Sequence, residues 1–362
     1  MRLPLLELSG TCREQGQVHG EALKDLIKKN IQIYFERFEK EAKLIRSEVL
    51  ERAESCLDSL QKQSLNYCEG IGGISEGSNQ GILEIAMLNF RYELLYHAIG
   101  KLQIDAVDGC TSYALLPEAS VNAHTIMGQN WDWIPDVECA AVTTVSPEGP
   151  HHLAFTEAGI FGGKIGLNSE GLGITVNGMY TTGDDWTRFE KPFHLRCFEV
   201  LGSKTMEDAL DVLIGTPRSC TANFMIGQAQ NSIMDVESAP DKYVQISPQG
   251  EVLSHANHFT DPDSAEITEP PNPRRYLSKF RCERMEALLN ELKPLDVEGI
   301  QEILKDHENY PQSICRHPDP DLPQEQHTIT KTGVIMDLDE RKLWLTNGNP
   351  CKNEFTEFSL LN

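Results

Sequence analysis

The chain has 362 residues, 40% of them hydrophobic and 24% charged, with 32 Lys and Arg against 55 Asp and Glu for a net charge of −23. That length is one large domain or two ordinary ones, with ample material for a buried core, and the composition is that of a soluble globular protein. So acidic a surface repels nucleic acid and anionic lipid, and no apolar run approaches the roughly 18 residues of a membrane span, so neither is an expected partner.

The charge is uneven. Up to Gly109 there are 13 basic against 17 acidic residues, a net of −4, and from Cys110 onward 19 against 38, a net of −19. The opening Met1-Arg2-Leu3-Pro4-Leu5-Leu6-Glu7-Leu8 is too short and too soon acidic for a secretory signal, so a cytoplasmic location is expected. The ten cysteines show no close CxxC pair and no zinc-ligand spacing, and read as reduced thiols that are mostly small buried hydrophobes.

From about Glu14 to Cys68 helix formers recur at helical spacing, and Leu23, Leu26, Ile27, Ile31, Tyr34, Phe35 and Phe38 mark one apolar stripe. The glycine-rich run 70–77 reads as a turn-rich break. A further helix is expected over 82–99, with Gly100 as its C-cap. After Cys110 the texture becomes strand-like, with short β-rich runs at 113–116, 125–129, 140–145, 153–156 and 173–176. Helices follow at 193–201 and 206–213, then strands at 223–227, 232–236, 243–246 and 252–255. The Pro- and acid-rich stretch 261–274 reads as a loop, and helices at 276–292 and 297–306 and strands at 328–337 and 342–346 close the chain. Runs of strands with helices inserted in pairs suggest layered sheets with helices outside.

Where the texture changes stands Asp108-Gly109-Cys110-Thr111-Ser112. Glycine leaves its carbonyl unobstructed and tolerates strained backbone, so a neighbouring thiol can attack the bond between Gly109 and Cys110. Cleavage there gives Cys110 a thiol and an α-amine on one residue. The α-amine titrates near roughly 7.7–8.0 and can act as the base for its own nucleophile.

Four blocks follow: Gly128-Gln129-Asn130-Trp131-Asp132-Trp133, Gly173-Ile174-Thr175-Val176-Asn177-Gly178, His255-Ala256-Asn257-His258-Phe259, and Ser313-Ile314-Cys315-Arg316-His317. With the helical segment and the Gly-Cys junction before them, they give the chain a resemblance to the cysteine-type N-terminal-nucleophile hydrolases, in the acyl-CoA:6-aminopenicillanic acid acyltransferase branch. More distant relatives in that class, the penicillin V acylases and bile salt hydrolases, carry Arg where Gln129 stands.

The resemblance implies a four-layer αββα sandwich of α+β class. Residues 1–109 would form a helical pro-segment that becomes a small subunit, and 110–362 the catalytic chain, the two pieces staying associated. Cys110 would be the nucleophile of an autoprocessed enzyme acting on linear amide C–N bonds, with no cofactor or metal. The substrate would be a small N-acyl amide, whose acyl group passes to water or to an amine.

Asp132 would orient the new amine, where a lone Asp otherwise caps a turn. Asn257 offers a neutral N–H to a developing oxyanion, and its bland counterpart is a strand-end turn. Asn177 and Asn130 are candidates for substrate or oxyanion contact, although Asn-Gly after 176 is also a turn signal. Arg316 would fix Asp132 or lower the thiol's pKa, where the alternative is a surface ion pair.

The acidic chain favours hydrolysis over a coenzyme A-dependent acyltransferase, unless a local basic pocket overrides it. An uncleaved binding protein and a thiol peptidase are further alternatives, and homo-oligomerisation is open. Gly162-Gly163-Lys164-Ile165 lacks the first Gly and the Ser/Thr of a phosphate loop. For His255, His258 and His317, hydrogen-bonded core positions are favoured over a metal, for want of acidic partners at ligand spacing. A papain-like enzyme needs a helix-borne Cys, which Cys110 is not.

Overall fold

The computed structural model describes residues 2–102, 109–147 and 149–360, leaving Asp108 outside the described residues. The first part runs β1 (Leu5–Ser9), α1 (Cys12–Ala22), α2 (Lys24–Ala42), α3 (Arg46–Gln63), α4 (Leu65–Ser78) and α5 (Ile82–Leu102). After the Gly109-Cys110 junction come β2 (Thr111–Leu115), β3 (Ile126–Trp133), β4 (Cys139–Val145), β5 (His152–Glu157), β6 (Ile165–Asn168), β7 (Leu172–Gly178), α6 (Phe193–Leu201) and α7 (Met206–Ile214). The rest is β8 (Ala222–Gln228), β9 (Ser232–Ser238), β10 (Tyr243–Ile246), β11 (Val252–His255), α8 (Arg275–Leu292), α9 (Val297–Ile303), β12 (Ile329–Asp337), β13 (Lys342–Leu345) and β14 (Thr356–Ser359).

The strands form an eight-stranded sheet in the order β1-β4-β5-β6-β7-β8-β9-β10 and a six-stranded sheet in the order β11-β2-β3-β12-β13-β14. The sheets face each other. Ser112 Oγ donates to Asn177 Oδ1 at 2.8 Å, and the Gln129 amide pairs with both backbone groups of Val176, at 3.1 and 2.8 Å. Helices α6 and α7 lie against β6 to β9, and α8 and α9 against β2, β11 and β12. Tyr113, Leu115, Ile126 and Ile335 pack with Met285, Leu289, Ile300 and Ile303 between the smaller sheet and its helices. The result is the four-layer αββα sandwich of α+β class.

Five elements differ from the sequence reading. The run 70–77 is not a break but part of α4, because its glycines remove the side chains that would hold α1 away. A Cβ on Gly73 would stand 2.1 Å from the Arg13 carbonyl oxygen, and one on Gly16 2.2 Å from that of Gly70. Backbone-to-backbone packing outweighs the low helix propensity of glycine. Helix α5 continues through Gly100 to Leu102, so Gly100 is not its cap, and the helix is buried all round from Ile85 to Tyr96. The first part is also not wholly helical. Buried Leu6 and Leu8 alternate with exposed Leu5, Glu7 and Ser9, a period of two, and β1 pairs in parallel with β4 at the edge of the larger sheet. Strands β6 and β14, four residues each, are too short to show a period.

The first part is bound into the remainder by buried polar contacts. Asn30 donates to the carbonyls of Glu138 and Ala158, both at 2.9 Å, and Tyr92 Oη donates to Thr221 O at 2.7 Å. Glu157 is ringed by Arg91, by Tyr34 and by Lys164, whose Nζ stands 2.7 Å away. Burial would raise the Glu157 pKa, but Arg91 and Lys164 outweigh it and hold the carboxylate ionised, far below its ordinary range. Lys164 also sits 3.4 Å over the Trp131 ring, so the lysine of the rejected phosphate-loop motif is a core cation with no reach to solvent. Among the described residues no helix is long and apolar enough to cross a membrane.

Candidate active site

Cys110 immediately precedes β2, a strand buried along its whole length between β11 and β3. Register places Thr111 opposite Asn130 and Ser112 opposite Gln129, which carries Cys110 toward the Asp132 end of β3. The thiol is 2% exposed, and its Sγ lies 3.8 Å from the Asp132 carbonyl oxygen.

Asp132 is fully buried beside the junction. It accepts a hydrogen bond from Thr330 Oγ1 at 2.7 Å and meets Arg316 Nε at 3.3 Å. Thr330 Oγ1 also accepts from the Arg316 backbone N–H at 2.9 Å, and Arg316 Nη1 donates to Thr328 Oγ1 at 3.1 Å. One threonine thus ties both members of the pair. Gly109 lies directly on them: a Cβ there would be 2.4 Å from Arg316 Cζ and 2.6 Å from Asp132 Oδ2. Glycine is needed because an ion pair fills the space a side chain would take, a reason the sequence does not display.

The other side of the junction is held by Arg281, from α8. Its Nη1 donates to the Gly109 carbonyl, to the Cys110 carbonyl at 2.7 Å and to Thr111 Oγ1 at 3.0 Å, while Nη2 donates to Asn257 Oδ1 at 3.1 Å. Sequence reasoning missed this residue, although a signal was there. The stripe of α8 that faces the sheet is Leu277, Arg281, Met285 and Leu289, an unbroken i, i+4 series in which one apolar position is a guanidinium. A cation on an apolar stripe has to find buried acceptors.

Asn257 is half-buried and follows β11. Its Nδ2 donates to Gly178 O at 3.0 Å, and its backbone N–H to Ser278 Oγ at 2.7 Å. With one amide hydrogen on Gly178 and the oxygen on Arg281, the second amide hydrogen is left to offer. Asn177, fully buried, accepts from Ser112 Oγ and from Asn223 Nδ2 at 3.2 Å, while its own Nδ2 has no hydrogen-bond partner among the described residues. Cys110, Asp132, Arg316 and Asn257 therefore converge with Gly109 and Arg281, and Asn177 lies one strand position away.

Asn130 is placed differently. It points to the helix side of the smaller sheet, where Nδ2 donates to the carbonyls of Leu304 and Ile314, both at 2.9 Å. Both amide hydrogens are thereby spent on bracing the segment that leads to Arg316.

His255 and His258 are buried, hydrogen-bonded positions as expected, but the expected want of acidic partners does not hold. His255 does have acidic partners: Glu237 Oε1 at 2.8 Å and Asp235 Oδ2 at 3.8 Å from Nε2. Burial alone would lower its pKa, but Asp235 and Glu237 push it up to about 9. Burial pushes His258 down to about 3, and its Nδ1 lies 2.8 Å from Ser278 Oγ. His317 stands with His307, Cys315 and Cys351, all four ligand-type atoms within 4.8 Å of one another.

Beside the junction lies a narrow cleft with a free volume of about 20 Å³. Asn257, Arg281 and Arg316 line it together with Tyr180, Arg274 and Arg275. The most acidic part of the chain thus contains a local basic pocket.

A cysteine heading an inner strand of one of two stacked sheets, with a glycine before it and a carboxylate, arginines and an amide around the junction, defines an N-terminal-nucleophile hydrolase, an enzyme that hydrolyses amides or transfers their acyl groups. The family described as acyl-coenzyme A:6-aminopenicillanic acid acyl-transferase matches residues 120–352. The chain is 30% identical over 316 residues to the acyl-coenzyme A:6-aminopenicillanic-acid-acyltransferase 40 kDa form of Emericella nidulans, covering 85% of this chain and 83% of that protein. Among solved structures, a single-residue variant of the conjugated bile acid hydrolase of Clostridium perfringens is similar at 14% identity with a TM-score of 0.47, covering 70% of this chain and 97% of that one. The Caenorhabditis elegans ortholog of N-acylethanolamine-hydrolyzing acid amidase is similar at 15% identity and a TM-score of 0.47, covering 63% and 93%. The chain belongs to the acyl-coenzyme A:6-aminopenicillanic acid acyltransferase family.

Proposed function

We propose that the protein is an autoprocessed cysteine enzyme whose mature nucleophile is Cys110 and whose substrate is a small N-acyl amide or acyl donor carrying an anionic group. The observation that carries this reading is the enclosure of one peptide bond: Asp132 and Arg316 press on Gly109 from one side, and Arg281 donates to the carbonyls on either side of Cys110 N.

In the first act the Cys110 thiol attacks the Gly109 carbonyl carbon. Negative charge develops on the oxygen that Arg281 already holds. The C–N bond breaks, the thiol proton ends on the new amine, and Gly109 is left as a thioester. Water opens the thioester, freeing the thiol and giving Gly109 a carboxylate. Residues 1–109 and 110–362 are then separate chains that stay associated through Glu157 and its partners.

In the second act the α-amine, oriented by Asp132, takes the thiol proton, and the thiolate attacks the substrate carbonyl. Asn257 donates its remaining amide hydrogen to the oxyanion, and the Asn177 amide serves as a second substrate or oxyanion contact. The acyl-enzyme then passes its acyl group to water or to an amine, splitting one hard transfer into two easier ones.

The cleft supports an anionic substrate group, a carboxylate or phosphate met by Arg274, since Arg281 and Arg316 are engaged at the junction and Arg275 pairs with Glu269. It strengthens the coenzyme A-dependent alternative, for which the net charge alone is unfavourable.

Intact-mass analysis tests the first act. The expected result is a fragment beginning at Cys110 that is absent in Cys110→Ala, and full-length wild-type protein that persists on long incubation would refute it. A panel of N-acyl amides and acyl thioesters, scored for free acid against transferred acyl group, then separates hydrolysis from transfer. Turnover of none of them by cleaved protein would favour a binding role instead.

A further inference from the structure

Cys315 and His317 flank Arg316, and neither has a part in the chemistry above. The backbone turns bring them to His307, which follows α9, and to Cys351, which follows β13. His317 Nε2 lies 3.1 Å from His307 Nε2, 3.3 Å from Cys351 Sγ and 3.8 Å from Cys315 Sγ. All four donor atoms lie within 4.8 Å of one another.

These separations are those of the edges of a tetrahedron around zinc. With Zn–N of about 2.05 Å and Zn–S of about 2.3 Å, tetrahedral geometry requires N···N of about 3.3 Å, N···S of about 3.6 Å and S···S of about 3.8 Å. A single shared proton accounts for one imidazole–imidazole contact, whereas one cation accounts for all the contacts together. The donor set contains no carboxylate. Two thiols with two imidazoles suit a borderline-soft ion and disfavour magnesium or calcium.

We propose that His307, Cys315, His317 and Cys351 form a closed, structural site for a tetrahedral zinc-class divalent ion. With four protein ligands no position is left for water or substrate, so the site is not a second catalytic centre. Its effect is mechanical. The ion joins the 307–317 segment to the turn at 349–351, across which Asn349 Nδ2 already donates to Arg316 O at 2.6 Å and contacts Cys315 Sγ at 3.8 Å. Arg316, held between two ligands, keeps its guanidinium on Asp132. His307 is exposed and Cys351 partly so, which gives the ion a way in.

Full-length protein produced with zinc in the medium and desalted without chelator is expected to retain about one zinc per chain by elemental analysis. Replacing zinc with cobalt is expected to give thiolate-to-metal charge transfer and the strong visible bands of tetrahedral cobalt, a readout that needs no variant. His307→Ala, at an exposed position, is expected to weaken zinc binding by at least about tenfold, the loss that even an outer partner can cause. The proposal is overturned if wild type holds no more zinc than the double variant His307→Ala/Cys351→Ser. It is equally overturned if the cobalt form lacks the thiolate band, or if peptide mapping finds Cys315 and Cys351 joined as a disulfide.

Discussion

Gly109→Ala adds a single carbon at the junction, and the surrounding geometry fixes what that carbon does. The new Cβ would stand 2.4 Å from Arg316 Cζ, where ordinary contact begins at 3.4 Å, so the guanidinium has to retreat by about 1.0 Å. Arg316 has little room to retreat: it is 2% exposed, with Nε 3.3 Å from Asp132 and Nη1 3.1 Å from Thr328, and the cleft it borders is narrow. Either the ion pair opens or the chain at 109 shifts away from it. Overpacking of this kind costs about 1–3 kcal/mol in a well-packed region, so the protein still folds. A displacement of about 1 Å at a reacting centre, however, costs around 100-fold in rate. Self-cleavage of Gly109→Ala, followed by intact mass over time in freshly purified precursor, is therefore expected to be about 100-fold slower than in wild type. Gly250→Ala, where an added Cβ meets nothing within 4 Å, serves as the control and is expected to behave as wild type. Cleavage of Gly109→Ala at the wild-type rate would show that the Asp132–Arg316 pair does not govern the junction.

Asn257→Ala is expected to lower kcat by about 10²–10³ with little change in KM, and a loss below tenfold in single-turnover acylation would remove Asn257 from the oxyanion role. Arg281→Lys keeps the charge but loses the fork that reaches Gly109, Cys110, Thr111 and Asn257 at once; cleavage is expected to be strongly slowed, and full rescue by lysine would reduce Arg281 to a point charge. Arg91→Met leaves Glu157 short of a partner in a buried cluster and is expected to cost about 3 kcal/mol, read as a lower Tm and easier separation of the cleaved pieces on dilution. Burial raises the Glu93 pKa from 4.5 to about 7, so the folded state holds this proton more tightly than the unfolded chain does. Stability then falls as pH rises from about 4.5 to 7, by about 3 kcal/mol at 1.36 kcal/mol per unit. Glu93→Gln is expected to flatten that part of the stability–pH curve, and an unchanged curve would contradict the buried acid.

Much of the sandwich was legible because its strands and helices carry clear periods. Helix α6 and strands β10 and β11 fall on the predicted residues, and the junction, Asp132, Asn257 and Arg316 meet as the motif blocks suggest. The departures share a physical cause, which is that the deciding partner is remote in sequence. The 70–77 glycines read as a break until α1 is laid against them, and Gly100 reads as a cap until α5 is followed past it to Leu102. Asn130 belongs to the right block, yet strand alternation turns it toward α9 while Gln129 turns toward Val176. Arg281 was visible only as an oddity on an apolar stripe. The convergence of His307, Cys315, His317 and Cys351 has no local spacing to announce it, since Cys351 lies 34 residues beyond His317.

The parallel pairing of β1 with β4 bears on how the protein can be produced. A gene fragment encoding 110–362 alone would yield a chain whose larger sheet ends on an uncovered β4, a template for pairing with other chains, and whose Glu157 and Lys164 have lost Tyr34 and Arg91. Such a product is expected to aggregate rather than to be a trimmed, ready-made enzyme. Co-expression of the two pieces, or synthesis as a single chain, restores the missing edge. Cutting the bond at 109–110 moves chain ends and discards nothing from the fold.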